Sequence, residues 1–390
     1  MFSKRIDTIQ PFMVMEILAK AIEMEQRGID VVHMEIGEPD FDTPKSIING
    51  CVEEIKKGKT HYTHSLGILE LRQALSDYKF RTRNTHFNPQ NNIMITCGTS
   101  PAFFMLLSAL LNPGDEVIIS NPGYPCYQNF ISFFGGSPVG VPIYENEEFN
   151  FNIKSLKEKI SPKTKVLILN SPSNPTGQII PHETLEQIAN LIEKYNFWVI
   201  SDEIYAELTY DGKMAPSLSE KQFERIHHKL IVLDGFSKYW AMTGWRLGYI
   251  ITPSNLMEKI IPIQQNYFIC APSISQMAAL YALNCEEETS EMLRIYKKRR
   301  DYIVREIRNI KGISCLIPKG AFYVFVNIKS LNIASLEFSM KLLENAHVAT
   351  CPGIAFGSNG EGFVRFSYPT RIENITKAIK RISSFVNQSF

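Results

Sequence analysis

The chain has 390 residues, 44% hydrophobic and 21% charged, a composition that excludes a disordered tail, a collagen-like repeat and a coiled-coil rod. Lys plus Arg total 41 and Asp plus Glu 40, so no overall basic excess exists to hold nucleic acid or an anionic membrane. The length predicts two domains of about 100–200 residues each, and the longest apolar stretch, 102–111, is far short of the roughly 20 residues of a membrane helix.

The N-terminal MFSKRIDTIQPF has no apolar core and predicts no signal peptide. Thr43-Pro44 reads as the N-cap and first residue of a helix ending near Gly58. Leu69–Phe80 has helical spacing, Asn92–Cys97 is a short strand, and Ala102–Leu111 is an apolar helix. Asn112-Pro113-Gly114-Asp115 is a turn before a strand at Val117–Ser120. Strands follow at Lys165–Leu169, Phe197–Ser201, Leu230–Leu233 and Arg246–Ile251, with an amphipathic helix at His182–Tyr195. Continuous apolar strands alternating with helices predict an α/β fold with a mostly parallel sheet covered on both faces. Beyond Ser254 the chain reads as helical to about Ile310. It closes with strands at Ala321–Val326 and Phe363–Ser367 and helices at Ser335–Ala346 and Ile372–Val386, an α+β unit. Seven scattered cysteines without a CxxC pair, and no signal peptide, predict reduced thiols and a cytoplasmic location.

Ligands of open α/β sheets bind beyond the carboxyl ends of strands, so the residues following each strand carry the candidate chemistry. Gly98-Thr99-Ser100 opens a helix whose N–H groups and hydroxyls suit a phosphate, although a plain N-cap reads the same way. Asn170-Ser171-Pro172-Ser173-Asn174-Pro175-Thr176-Gly177 is a rigid loop able to present the Asn174 amide. Asp202, in Asp202-Glu203-Ile204-Tyr205, is a strand-end carboxylate that needs a partner, either a helix cap or a protonated heterocyclic nitrogen. Lys238 sits among aromatic and apolar neighbours, where burial disfavours the ammonium and leaves a nucleophilic amine. A phosphate cradle, an amide, a carboxylate and such a lysine together describe a site for pyridoxal 5′-phosphate (PLP).

With these motifs in order, the chain resembles the fold-type I, class I aminotransferases of the bacterial aspartate/aromatic subgroup. The resemblance runs from Gly37-Glu38-Pro39-Asp40-Phe41 through Ser237-Lys238 and Met242-Thr243-Gly244-Trp245-Arg246 to Val364-Arg365-Phe366-Ser367-Tyr368. It implies a large domain (45–285) built on a seven-stranded-type sheet. A small α+β domain would come from both chain ends (1–44, which includes an N-terminal arm, and 286–390). It implies transamination between an L-amino acid and a 2-oxo acid, with PLP held as a Schiff base on Lys238, which then shuttles the proton. Asp202 would keep the ring nitrogen protonated, Asn174 and Tyr205 would bond the phenolate oxygen, and Tyr124 would stack on the ring. Thr99, Ser100, Ser237 and Arg246 would hold the phosphate, joined by Tyr62 from the neighbouring subunit of a homodimer. Arg365 would clamp the substrate α-carboxylate, covered by the backbone of Gly37. The same resemblance leaves open a PLP-dependent C–S β-lyase on this scaffold. A PLP-binding regulatory module is disfavoured, because the chain shows no spare N-terminal segment for a DNA-binding domain and keeps Lys238 and Arg365.

Three departures bear on substrate. Gly235 stands where many relatives carry a phosphate-binding Ser, and Ser100 where some aspartate-specific ones carry Lys. The segment 264–272 offers no Arg for a second carboxylate, which leans the reading toward neutral or aromatic amino acids. No metal is expected: His61 and His64 lack a third ligand. Lys297-Lys298-Arg299-Arg300 reads as a solvated face, Phe103 as core, and the helix around Ile17 as core-facing or pocket-lining.

Overall fold

The computed structural model describes residues 2–11 and 13–390. Its strands are β1 (Val32–His33), β2 (Ile93–Thr96), β3 (Glu116–Asn121), β4 (Ser137–Pro142), β5 (Thr164–Asn170), β6 (Trp198–Asp202), β7 (Leu230–Gly235), β8 (Gly248–Ile251), β9 (Ser314–Cys315), β10 (Tyr323–Asn327), β11 (Val348–Ala349), β12 (Cys351–Pro352) and β13 (Phe363–Ser367). Seven of them form the central sheet, in the order β2-β8-β7-β6-β5-β3-β4. All its pairings are parallel except those of β8, which runs antiparallel to both neighbours. The expected mostly parallel α/β fold is therefore present.

The period-2 alternation of strands explains why this sheet is buried on both faces. Ile118, Leu167, Leu169, Val199 and Val232 enter one apolar core, while Val117, Ile119, Val166, Ile168, Ile200 and Ile231 enter the opposite one. A third core is built around the antiparallel sheet β12-β13-β10-β9 and the helices Glu286–Arg308 and Ile372–Ser389. Near the N-terminus, α1 (Met13–Gln26) packs Ile17, Ala21 and Met24 against Leu343 and Ala349, and β1 pairs with β11. Among the described residues no helix is long and apolar enough to cross a membrane.

Further helices are α2 (Lys45–Lys56), α3 (Leu69–Arg83), α4 (Thr99–Leu110) and α5 (Cys126–Phe133). Three local expectations are corrected. Thr43 does not cap α2; its hydroxyl donates to Ala241 O at 2.7 Å and accepts from Trp245 Nε1 at 2.9 Å, pinning the segment after Gly37 to the loop after Lys238. Arg246 is not in a strand: it adopts the left-handed region (φ +51°), and β8 begins only at Gly248. In the charge run, Lys297 and Lys298 are exposed, but Arg299 lies on the buried face of its helix and forks onto Asp40 at 2.7 and 2.9 Å, while Arg300 stacks over Tyr210 at 4.5 Å. Helical periodicity separates those neighbours. The elements the sequence did not announce are α5, the helix Ile153–Lys159, and β1, β4, β9, β11 and β12. They are short, at an edge, or interrupted by Pro and Gly, as in the Ser-Pro-Val-Gly-Val-Pro run of β4.

Candidate active site

Parallel strands end side by side, so the loops after β2, β5, β6 and β7 converge on one cavity of about 410 Å³. It is lined by Gly37, Thr99, Ser100, Tyr124, Asn174, Asp202, Tyr205, Lys238 and Arg365, nine of the twelve residues named from the sequence. After β2 the chain turns at Gly98, whose φ of +96° favours glycine, straight into α4. Among the described residues no side chain caps α4, so its first N–H groups are left to a ligand. A Cβ on Gly98 would lie 2.9 Å from Arg246 Nη2, and one on Gly248 would lie 3.1 Å from Thr99 N. These glycines thus make room for a guanidinium against the helix start, a cradle suited to phosphate. Gly235 also has a backbone reason: a Cβ there would meet Leu247 O at 2.9 Å.

Asp202 ends β6 as a buried carboxylate. It accepts the Tyr127 hydroxyl at 2.5 Å on Oδ2 and the Ile204 N–H at 3.3 Å on Oδ1. Burial pushes its pKa up to about 7, against the pull of those two hydrogen bonds. Lys238 Nζ donates to Gly37 O at 2.6 Å. Burial lowers its pKa to about 8; Glu38 opposes that shift, and Arg365 and Arg246 reinforce it. Arg365, on β13, donates through Nη1 to Asn174 Oδ1 at 3.0 Å and through Nη2 to Glu35 O, and its Nε is buried without a partner among the described residues. Its guanidinium lies 4.5 Å from the Tyr323 ring, and the Tyr323 hydroxyl meets that of Tyr205 at 2.7 Å. The same hydroxyl stands 2.0 Å from where a Gly37 Cβ would project, so only glycine fits there.

These residues fit PLP. A buried acid can face a ring nitrogen, a lysine whose ammonium is disfavoured by burial can face an aldehyde, and an open helix start with Arg246 can face a phosphate. The family Aminotransferase class I and II matches residues 29–382. The chain belongs to the class I and II aminotransferases. It is 43% identical, over the full length of both chains, to (5-formylfuran-3-yl)methyl phosphate transaminase of Methanocaldococcus jannaschii. It is 38% identical to an aspartate aminotransferase of Pyrococcus abyssi, over 99% of this chain and 98% of that one. A solved aromatic aminotransferase from Pyrococcus horikoshii superposes with a TM-score of 0.89 at 37% identity, over 95% of this chain and 99% of that one. The enzyme is therefore a PLP-dependent aminotransferase, and the C–S lyase is not favoured.

The structure leaves Ser237, Arg246 and Tyr62 of the aminotransferase outside the cavity lining. Arg246 stands beside Gly98, Ser237 is half-buried next to Lys238, and Tyr62 is 81% exposed. Conversely, the cavity recruits Val14, Met15 and Leu18 of α1, with Phe103, Phe130, Tyr127 and Tyr323. Tyr127 was legible in principle only by its spacing from Tyr124, which stands just before α5 and whose carbonyl accepts the Tyr127 N–H at 3.2 Å. Tyr323 was not, because nothing in its strand marks which face meets Tyr205.

Proposed function

We propose that this aminotransferase acts on neutral or aromatic L-amino acids, with Lys238 as its Schiff-base lysine and proton carrier. The observation that carries the substrate reading is the apolar part of the cavity wall, to which Val14, Met15, Leu18, Ile36, Phe103 and Phe130 contribute. Among the described lining residues the only cations are Lys238 and Arg365, and Glu38 would repel a side-chain carboxylate. A furan ring belongs with such a wall, so (5-formylfuran-3-yl)methyl phosphate is one partner to try.

Arg365 binds the substrate α-carboxylate, with its unpartnered Nε available for that contact. Bound PLP supplies an electron sink for the pair left at the substrate Cα. Lys238 Nζ, in the uncharged form that burial favours, would take the Cα proton and carry it. Asp202 would face the ring nitrogen, whose proton would hold the carboxylate ionised. Tyr205 and the Asn174 amide N–H₂, whose oxygen is occupied by Arg365, would donate to the ring hydroxyl, and Tyr124 would cover the ring. Thr99, Ser100, Ser237 and Arg246 would hold the phosphate. Because one product leaves before the second substrate binds, double-reciprocal plots are expected to be parallel.

The exposed Tyr62, Tyr267 and Ile269 support a homodimer in which Tyr62 reaches the partner's phosphate site. The shared core of α1, β11 and the C-terminal helices supports a small domain built from 1–44 and 286–390 against a large domain of 45–285. Seven unpaired cysteines support a cytoplasmic setting.

The test is the absorbance of the PLP-loaded enzyme with single amino acids. Phenylalanine or tyrosine should bleach the visible band at least about tenfold faster than aspartate, the discrimination expected of an apolar pocket that leaves a carboxylate unpaired. Faster bleaching by aspartate, or pyruvate from cystathionine without an oxo-acid acceptor, would overturn the reading. Tyr127→Phe removes the hydroxyl donor to Asp202 and should weaken PLP binding about tenfold, the range for a hydrogen bond to a buried charge. Fluorescence titration of the cofactor-free variant measures this, and an unchanged Kd would count against it.

A further inference from the structure

A lysine on the buried face of a helix is unusual, because an apolar residue would pack there without the cost of desolvation. Helix α3 nevertheless buries Lys79 completely, one turn from buried Ser76 and Arg83. Its Nζ donates to Glu203 Oε2 and Asp234 Oδ2, each at 3.2 Å, and lies 5.7 Å from the Tyr249 ring centroid. Glu203 directly follows Asp202, and Asp234 lies four residues before Lys238. We propose that Lys79 is a positioning residue for transamination, its ammonium holding the ends of β6 and β7 together and so setting Asp202 and Lys238 in register behind the cavity.

The surroundings agree with a clamp. The ladder between β6 and β7 ends at the pair Asp202 and Leu233, followed by the Glu203 N–H bond to Leu233 O at 2.8 Å. Beyond that point β6 ends while β7 runs on to Gly235, and Lys79 bridges the two segments. Asp234 is held from the other side by the Tyr249 hydroxyl at 2.5 Å and the Gly235 N–H at 2.7 Å. Glu203 also faces Arg83 Nη2 at 3.6 Å and accepts the Ser217 hydroxyl. Glu207, bonded by the Tyr78 hydroxyl at 3.0 Å, completes the cluster. Burial would depress the Lys79 ammonium, but Glu203 and Asp234 outweigh it, so the group stays charged. Glu203 is held ionised by Lys79 and Arg83 despite its burial, while burial raises Glu207 to about 7. A buried ion pair contributes little to stability over an apolar pair, so the cluster's use lies in fixing geometry.

The inference rests on the assignment of Lys238 and Asp202 above, and the experiment separates the two. The PLP-loaded Lys79→Met enzyme is compared with Lys79→Met/Asp234→Asn, which removes the clamp without leaving an excess charge. In both, kcat should fall about tenfold or more with KM within about twofold, since small misplacements of catalytic groups cost that much. In Lys79→Met the pH midpoint of the visible band should also rise, because a positive charge behind the lysine is lost. Melting of the double variant should return toward the parent while its kcat does not. If Lys79→Met does not fold, the double variant carries the test alone. Parental kcat in the double variant overturns the role of Lys79. Borohydride reduction followed by peptide mapping checks the underlying assignment: PLP found on a lysine other than Lys238 overturns both, whereas PLP on Lys238 with parental kcat removes only the clamp.

Discussion

Lys238→Ala is expected to lower turnover by about 10⁴-fold or more, beyond the upper range of a single acid–base group, because it removes both the attachment point and the proton carrier. Borohydride reduction should then leave no PLP on the protein; a variant that still fixes PLP, or keeps its visible band, would place the lysine elsewhere. The same substitution has a second signature in cofactor-free protein. Burial lowers the Lys238 pKa to about 8, below that of the unfolded chain, so the folded state binds its proton less well. The resulting penalty is full below about pH 8 and vanishes as pH rises toward the unfolded value near 10.5. Cofactor-free Lys238→Ala should therefore melt higher than the parent at pH 7, with the gap closing between about pH 8 and 10.5. A gap that widens with pH would contradict the burial argument.

Asp202→Asn should reduce the rate of the half-reaction with an amino acid about 10²–10⁴-fold, since an amide cannot hold the ring nitrogen protonated. Stopped-flow absorbance gives that rate, and a loss under about tenfold would remove Asp202 from its role. Here too the stability sign can be worked out. Burial raises the folded pKa to about 7, above the unfolded value near 3.8, so the penalty is absent below about pH 4, grows up to about pH 7 and stays constant above it. The cofactor-free variant should gain on the parent across that window and hold its gain at pH 8. Both groups are thus destabilising alone, and each is set where bound PLP would supply its partner. Such strained, partly unsatisfied groups concentrate at functional sites.

These two residues were legible in the sequence because each follows a continuous apolar strand, and strand ends in a parallel sheet share one edge of the molecule. Asp202 follows Trp198–Ser201 and Lys238 follows the strand ending at Gly235, so their proximity was implied by the alternation of strands and helices alone. The phosphate cradle was legible through Gly98 for the same reason. Arg365 was different: its strand is not in the central sheet, and only resemblance placed it at the site.

What the sequence by itself determined was therefore local and periodic: which runs are strands, which helices cover them, and which polar residues stand at strand ends. Tertiary structure alone decided the rest. It put the Tyr127 hydroxyl on Asp202 and that of Tyr323 on Tyr205, and brought the α1 residues Val14, Met15 and Leu18 to the cavity wall. It turned Arg299 inward onto Asp40 and buried Lys79 between two carboxylates. Each of these contacts joins residues whose spacing along the chain carries no signal, because a side chain's burial and partner depend on which face of its element meets another. Periodicity defines that face, but packing chooses what stands opposite it.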